Sequence, residues 1–347
     1  MTDATAHTDD PSFTTLRIKK LHPTFIAEVE GVDFSKDIPD EQFREILAAM
    51  AKYGVCVFRN TGLDDKRHVD FSRRFGDLDD IRPYMTNAGR KPRYEYYELF
   101  DAGNLDEKGG VLAPDSPRAQ YNKGNGLFHV DSSFNPRRAS YSLLLAHVLP
   151  PRSTGGNTDF ADTRTAFEEL PADLKSTLLA HDYAVAHSLH HSRKTAAPAF
   201  FADLDPTEYK MHKHRLVQKH EPSGRMNLYI AAHGHHVEGL PKAESDALLK
   251  TLMDHATQER YTTSVAWDQP GDLVVWDNTC VMHRSGKFAG GHIRDMRRTT
   301  VHDASSQAWG LNRVGVDERP GFGVVGAAAG NQPAKVEESA TARALAV

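Results

Sequence analysis

The sequence predicts a mixed α/β protein that is mainly β, an antiparallel sandwich or jelly roll (double-stranded β-helix) with flanking helices. Three observations carry that expectation. Short apolar runs, among them 140–145, 265–267, 272–276 and 294–301, recur between Gly and Pro punctuation. Helical periodicity is confined to a few segments suited to cover a sheet. The 347 residues suffice for one catalytic domain around a single core, and no repeat of solenoid length interrupts them.

Each element follows from local chemistry. Pro39-Asp40-Glu41 opens a helix whose apolar positions Phe43, Ile46, Leu47 and Met50 fall on one face, and Tyr53-Gly54 closes it. Val55 to Phe58 reads as a buried strand. Further helices are expected over 64–75, 162–179 and 242–257, the last entered through Pro241. Residues 1–13 and the Gly/Ala/Glu-rich stretch beyond about 323 lack any periodicity able to offset ordering entropy. The expected organisation is a disordered N-terminus (1–13), one catalytic domain (14–305) and a C-terminal extension (306–347).

Composition narrows the function. Acidic residues outnumber basic ones 47 to 42, so no cationic field draws in nucleic acid or an anionic membrane. No apolar run is long enough to span a bilayer. Cys56 and Cys280 are the only cysteines, which fits neither a disulfide framework nor a thiolate metal site and points to a reducing, cytoplasmic setting. Composition leaves a homo-oligomer, dimer or tetramer, open.

Histidine spacing points to a metal. His129-Val130-Asp131 lies in an extended setting between Gly124-Asn125-Gly126 and Phe134, where residues two apart project from one side and can chelate. A second His-Val-Asp, at 68–70, falls in a helix, where such residues diverge, and is expected on the surface. His236-Val237-Glu238 runs into a Gly-Leu-Pro turn and reads as a polar loop. His187, His190, His191, His233 and His235 read as loop or supporting histidines. The third ligand must come from a distant strand, and His283 follows the strand ending in Trp276-Asp277-Asn278. Two imidazoles and one carboxylate leave open positions on a metal, the arrangement of non-haem Fe(II) oxygenases.

Arg294 and Arg298 lie 11 and 15 residues beyond His283. On a strand, Arg294, Met296 and Arg298 share one face, giving two anion sites whose planar forks suit a carboxylate or sulfonate.

These residues resemble the taurine/2,4-dichlorophenoxyacetate dioxygenase family of Fe(II)- and 2-oxoglutarate-dependent oxygenases, from about His22 to Asp303. The resemblance rests on ordered blocks: Phe25–Val29 with Gly31-Val32-Asp33, Val57–Arg59 with Phe71–Gly76, Asn125–Phe134, Gly155–Phe160, Ser223-Gly224-Arg225, and Gly271 through Arg298. It implies that His129, Asp131 and His283 bind iron, that Arg294 and Thr158 hold the distal carboxylate of 2-oxoglutarate, and that Arg298 faces the acidic group of the substrate. Asn125 would line the site near substrate or cosubstrate. The segment from His129 to Phe134 and the arginine spacing lean toward the aryloxyalkanoate branch. The stretch between Asp131 and Thr158 is about two residues longer than the family pattern, through Pro150–Ser153.

The implied reaction consumes O2 and 2-oxoglutarate, releases succinate and CO2, and hydroxylates a small anionic organic substrate, with C–O or C–S cleavage where the hydroxylated carbon adjoins an ether oxygen or sulfonate. Arg284 or Lys123 would assist if loops bring them in. Competing readings are the same iron site acting on an amino acid or other small acid by hydroxylation, desaturation or cyclisation; a metal dioxygenase or isomerase without 2-oxoglutarate; and a non-catalytic ligand-binding jelly roll.

Overall fold

The computed structural model describes residues 12–86, 92–289, 291–316, 318 and 319. The expected disordered ends, 1–13 and beyond 323, fall almost wholly outside these residues. The described chain is mixed α/β, mostly sheet. A seven-stranded sheet runs edge to edge through Arg17–Lys20, Ala27–Glu30, Val55–Phe58, Leu273–Asp277, Ala139–Val148, Asp295–His302 and Phe100–Asp101. A three-stranded sheet orders Thr262–Val265, Thr158–Asp162 and Val281–Ser285. Strand alternation explains how the two are joined. Val55, Val57, Leu144, Val274 and Trp276 leave one face of the large sheet and pack with Phe160, Val265 and Val281 of the small one.

The other face of the large sheet is covered by helices. Helix Asp40–Tyr53 buries Phe43, Ile46, Ala49, Met50 and Tyr53, the face its periodicity predicts. It ends at Gly54, whose φ of 70° is left-handed and where a Cβ would meet Val281 Cγ2 at 2.8 Å. Helix Asp65–Arg73 is capped by Asp64, which accepts from Arg67 N at 2.8 Å and contributes ~1 kcal/mol.

Several expectations need correction. His68 is fully buried, not on the surface: its Nε2–H donates to Leu143 O at 3.1 Å, and burial depresses its pKa to about 4. Its helix lies across the large sheet, so His68 and Val69 of the triplet turn inward while Asp70 reaches Lys66. The helix expected over 162–179 is two, Thr163–Glu168 and Ala172–His181, because Pro171 offers no N–H to continue the first and begins the second. His236 belongs to the strand Gly234–Val237, not a loop, and its ring meets Glu238 at 3.1 Å. Thr262–Val265 ends before Ala266 and Trp267, which had been expected to form part of a strand.

At the end of strand Leu273–Asp277, the Asp277 carboxylate accepts from His220 Nε2 at 3.0 Å and from Thr279 N at 2.9 Å. Burial opposes this charge, but His220 and Thr279 outweigh it and hold Asp277 at about 2. A depressed carboxylate stabilises the fold above its unfolded pKa near 4, and that contribution fades as pH falls through the folded value. We expect about 2 kcal/mol to be lost between roughly pH 4 and pH 2. Asp277→Asn should flatten that part of the acid limb in melting curves taken from pH 7 down to pH 2; an unchanged limb would refute the assignment.

Candidate active site

Three groups from two distant segments of the chain meet where the sheets join. His129 and His283 form an isolated antiparallel bridge, with His129 N donating to His283 O at 3.0 Å and His283 N to His129 O at 2.8 Å. Their rings lie 4.2 Å apart, centroid to centroid. Asp131 follows two residues on; His129 Nε2 is 3.9 Å from its Oδ1 and His283 Nε2 is 3.8 Å from its Oδ2. After Asp131 the chain turns sharply through Ser132, a non-glycine residue at φ 57°. His129 and Asp131 therefore sit at a bridge and a turn rather than within a longer strand.

Protonation suits a metal. Nδ1–H of His129 donates to Leu127 O at 2.7 Å, which leaves Nε2 as the lone-pair donor. Burial pushes His129 down and His283 well down, so both imidazoles are neutral. Burial would raise Asp131, but the Arg298 guanidinium and the hydrogen bond from Ser142 outweigh it and hold it at about 2. Two neutral imidazoles and an anionic carboxylate within 4.8 Å of one another fit a divalent metal.

A buried network fixes the carboxylate. Asn278 Oδ1 accepts from Asp131 N at 2.9 Å and from Trp276 Nε1 at 3.0 Å. Its Nδ2 donates to Ser140 O and Ser142 Oγ, both at 2.9 Å. Having accepted that bond, Ser142 is left to donate its own proton to Asp131 Oδ2, at 2.7 Å. Such partners typically govern metal affinity by ~10–100-fold. Ser142→Ala should therefore weaken Mn(II) binding by about that factor in calorimetric titration; affinity equal to the parent's would count against it.

A second group, His220, Asp277 and Cys280, is also close together and buried. Both His220 nitrogens are engaged, by Ser223 and Asp277, and burial pushes the Cys280 thiol well up. It reads as structural.

A cavity opens from His129 and Asp131. Its wall is aromatic and apolar, with Tyr84, Phe100, Tyr121 and Phe134 prominent, and Asn125 lies on it as expected. Arg298 reaches the inner end, donating through Nη1 to Asp131 Oδ1 at 2.7 Å and stacking 4.8 Å over Phe100. Arg93 and Arg118 also line it but are tied to Asp101. Neither auxiliary cation is brought in: Arg284 pairs with Asp159 at 2.8 Å, and Lys123 bonds Gln120.

Arg294 and Thr158 are not among the described residues lining this cavity. Arg294 is nearly buried, its Nε has no hydrogen-bond partner among the described residues, and its guanidinium makes only a 3.4 Å contact there, to Ala102 O. Burial lowers its pKa to about 10. Thr158 Oγ1 accepts from Trp267 Nε1 at 3.1 Å, which leaves its hydroxyl proton to donate. Among the described residues no carboxylate pairs with Arg294, which leaves this guanidinium with unused capacity to bond an anion.

Sequence reasoning missed the cavity wall. His233, set aside as a supporting histidine, lines it with its ring 5.6 Å from His129, and Nδ1–H donates to Ser192 Oγ at 2.8 Å. Nothing in the spacing of the histidines separates it from its neighbours.

Fold and site define a non-haem metal-dependent oxygenase. The chain belongs to the family described as taurine catabolism dioxygenase TauD, TfdA, which matches residues 17–300. It is 38% identical over 283 residues to the alpha-ketoglutarate-dependent 2,4-dichlorophenoxyacetate dioxygenase of Cupriavidus pinatubonensis, covering 82% of this chain and 96% of that one. It is 33% identical to the (S)-phenoxypropionate/alpha-ketoglutarate-dioxygenase of Sphingobium herbicidovorans, covering 77% and 88%. Among solved structures it resembles AAD-2 in complex with Mn(II) and N-oxalylglycine, at a TM-score of 0.78 and 35% identity, over 85% of this chain and 100% of that one. The protein is an Fe(II)- and 2-oxoglutarate-dependent dioxygenase.

Proposed function

We propose that the protein oxidises a small aryloxyalkanoate-like acid, with 2-oxoglutarate and O2 consumed and succinate and CO2 released. The observation that carries this is the aromatic cavity with Arg298 at its inner end, next to Asp131. An aryl ring suits the aromatic wall. The substrate carboxylate suits the outer edge of the Arg298 guanidinium, which delivers the carbon beside the ether oxygen to the metal. Hydroxylation there collapses to a phenol and a carbonyl compound.

His129, Asp131 and His283 hold iron, which supplies oxygen activation when bound. Arg294 and Thr158 take the distal carboxylate of 2-oxoglutarate, and their unmet hydrogen-bonding capacity supports this. Asn125 orients substrate from the cavity wall. The two facing sheets form the double-stranded β-helix of a single domain, 14–305, and two buried free thiols favour the cytoplasm.

The test has two arms. Anaerobic addition of Fe(II) and 2-oxoglutarate should raise the weak visible charge-transfer band, and aerobic turnover of a panel of aryloxyalkanoates, sulfonates, sulfate esters and amino acids is scored by succinate and phenol. Aryloxyalkanoates should give both products in equal amounts. Coupled turnover of sulfate esters or amino acids alone would sink the substrate assignment and leave the reaction class standing.

A further inference from the structure

The family match ends at residue 300, yet the chain beyond it is built into the domain. Ala308 O accepts from Arg138 N at 2.9 Å, and Leu311 N donates to Lys213 O at 2.9 Å. Asn312 bonds Lys213 N at 2.9 Å and Pro136 O at 3.2 Å, and His212 Nε2–H donates to Glu318 O at 2.9 Å. This strap delivers Arg319 to Asp79 and Tyr84, two residues of the cavity wall. There Arg319 Nη1 donates to Asp79 Oδ1 and, at 3.2 Å, to Asp80 O, with the guanidinium 5.3 Å over the Tyr84 ring.

Asp79 is 7% exposed and lines the same cavity as Tyr84, Thr300 and Arg298. Its other neighbours are Tyr84 OH at 3.3 Å and His302 Nε2 at 3.6 Å. A carboxylate in the wall of a cavity that takes an anion opposes binding, because low-dielectric walls screen the repulsion poorly. Burial pushes the Asp79 carboxyl up from its ordinary range, and His302 and Arg319 act against that.

We propose that Arg319, on the C-terminal extension, is a positioning residue for the substrate cavity, compensating Asp79 so that an anionic substrate is admitted. The inference rests on the reading that the cavity takes a small anion. Arg319 is not among the described residues of the metal cluster or the cavity lining; its effect on an anion in the cavity runs through Asp79, while Asp80 O and the Tyr84 ring hold it in place. The extension thus gives this chain a means of setting affinity for acids that lies outside the matched family region.

The test compares the parent with Arg319→Gln, Arg319→Lys and the double variant Asp79→Asn/Arg319→Gln, each loaded with Fe(II) and 2-oxoglutarate without oxygen. The probes are 2,4-dichlorophenoxyacetate and its neutral relative 2,4-dichloroanisole. Arg319→Gln should weaken the acid by ~10-fold and leave the anisole and 2-oxoglutarate within about twofold, an electrostatic effect of one charge across a partly screened gap. Arg319→Lys and the double variant should recover acid binding. Equal loss for both probes, or no recovery in the double variant, overturns the proposal in favour of simple packing. If the parent takes up neither probe, the aryl-acid reading falls, and melting of the same four proteins decides the pairing. Loss in Arg319→Gln that Asp79→Asn restores supports it, and additive losses overturn it.

Discussion

Asp131→Ala is expected to reduce metal affinity by more than ~100-fold, beyond the range usual for groups that merely support a ligand. The carboxylate is the only anion of the cluster, and it carries bonds from both sides: Ser142 on Oδ2 and Arg298 on Oδ1. Removing it leaves two neutral imidazoles facing a guanidinium, a combination hostile to a dication. Asp131→Asn separates charge from shape, since the amide oxygen can still accept from Ser142. If the anion is what matters, both variants lose Mn(II) binding in calorimetry and the Fe(II)/2-oxoglutarate band with it. Retention of near-parent affinity by Asp131→Ala would remove Asp131 from the ligand set.

Arg294→Met should have an effect of similar size on a different partner. Breaking a buried, charge-paired contact costs about 2–5 kcal/mol, or roughly 30-fold to several thousand-fold in 2-oxoglutarate affinity. Metal binding alone should change little. The same substitution should leave melting without 2-oxoglutarate unchanged or raise it, because a nearly buried guanidinium with an unbonded Nε is replaced by an apolar side chain of comparable length. A fold stabilised where a ligand is lost is the signature of a binding group held at some cost. Unaltered 2-oxoglutarate affinity would move the cosubstrate anchor elsewhere.

The metal cluster was legible in the sequence because its signal is short-ranged: a His-x-Asp pair beside a glycine turn, and a fixed spacing from His283 to two arginines. Helix Asp40–Tyr53 was legible too, through its apolar spacing and the closing Gly54. The cavity was not. Its wall joins Tyr84, Tyr121 and Leu189 from three short helices with Phe100 from an edge strand, and no local pattern records which of their faces turn inward. His68 shows the same limit, since its ring is bonded to Leu143, 75 residues further along the chain. Arg284 and Lys123 looked available only because their partners Asp159 and Gln120 were not yet in view. Strand ends slipped by one to three residues where pairing with a neighbour, not composition, sets the limit.

The reciprocal amide bonds between His129 and His283 make the two imidazole-bearing residues opposite members of one rung. Their separation is consequently a property of the peptide frame, and side-chain rotation alone has little latitude to alter it. Opening that rung is the same event as spreading the metal donors, so exchange of these two amide protons with deuterium gives a clock for the integrity of the site that needs no substrate and no turnover.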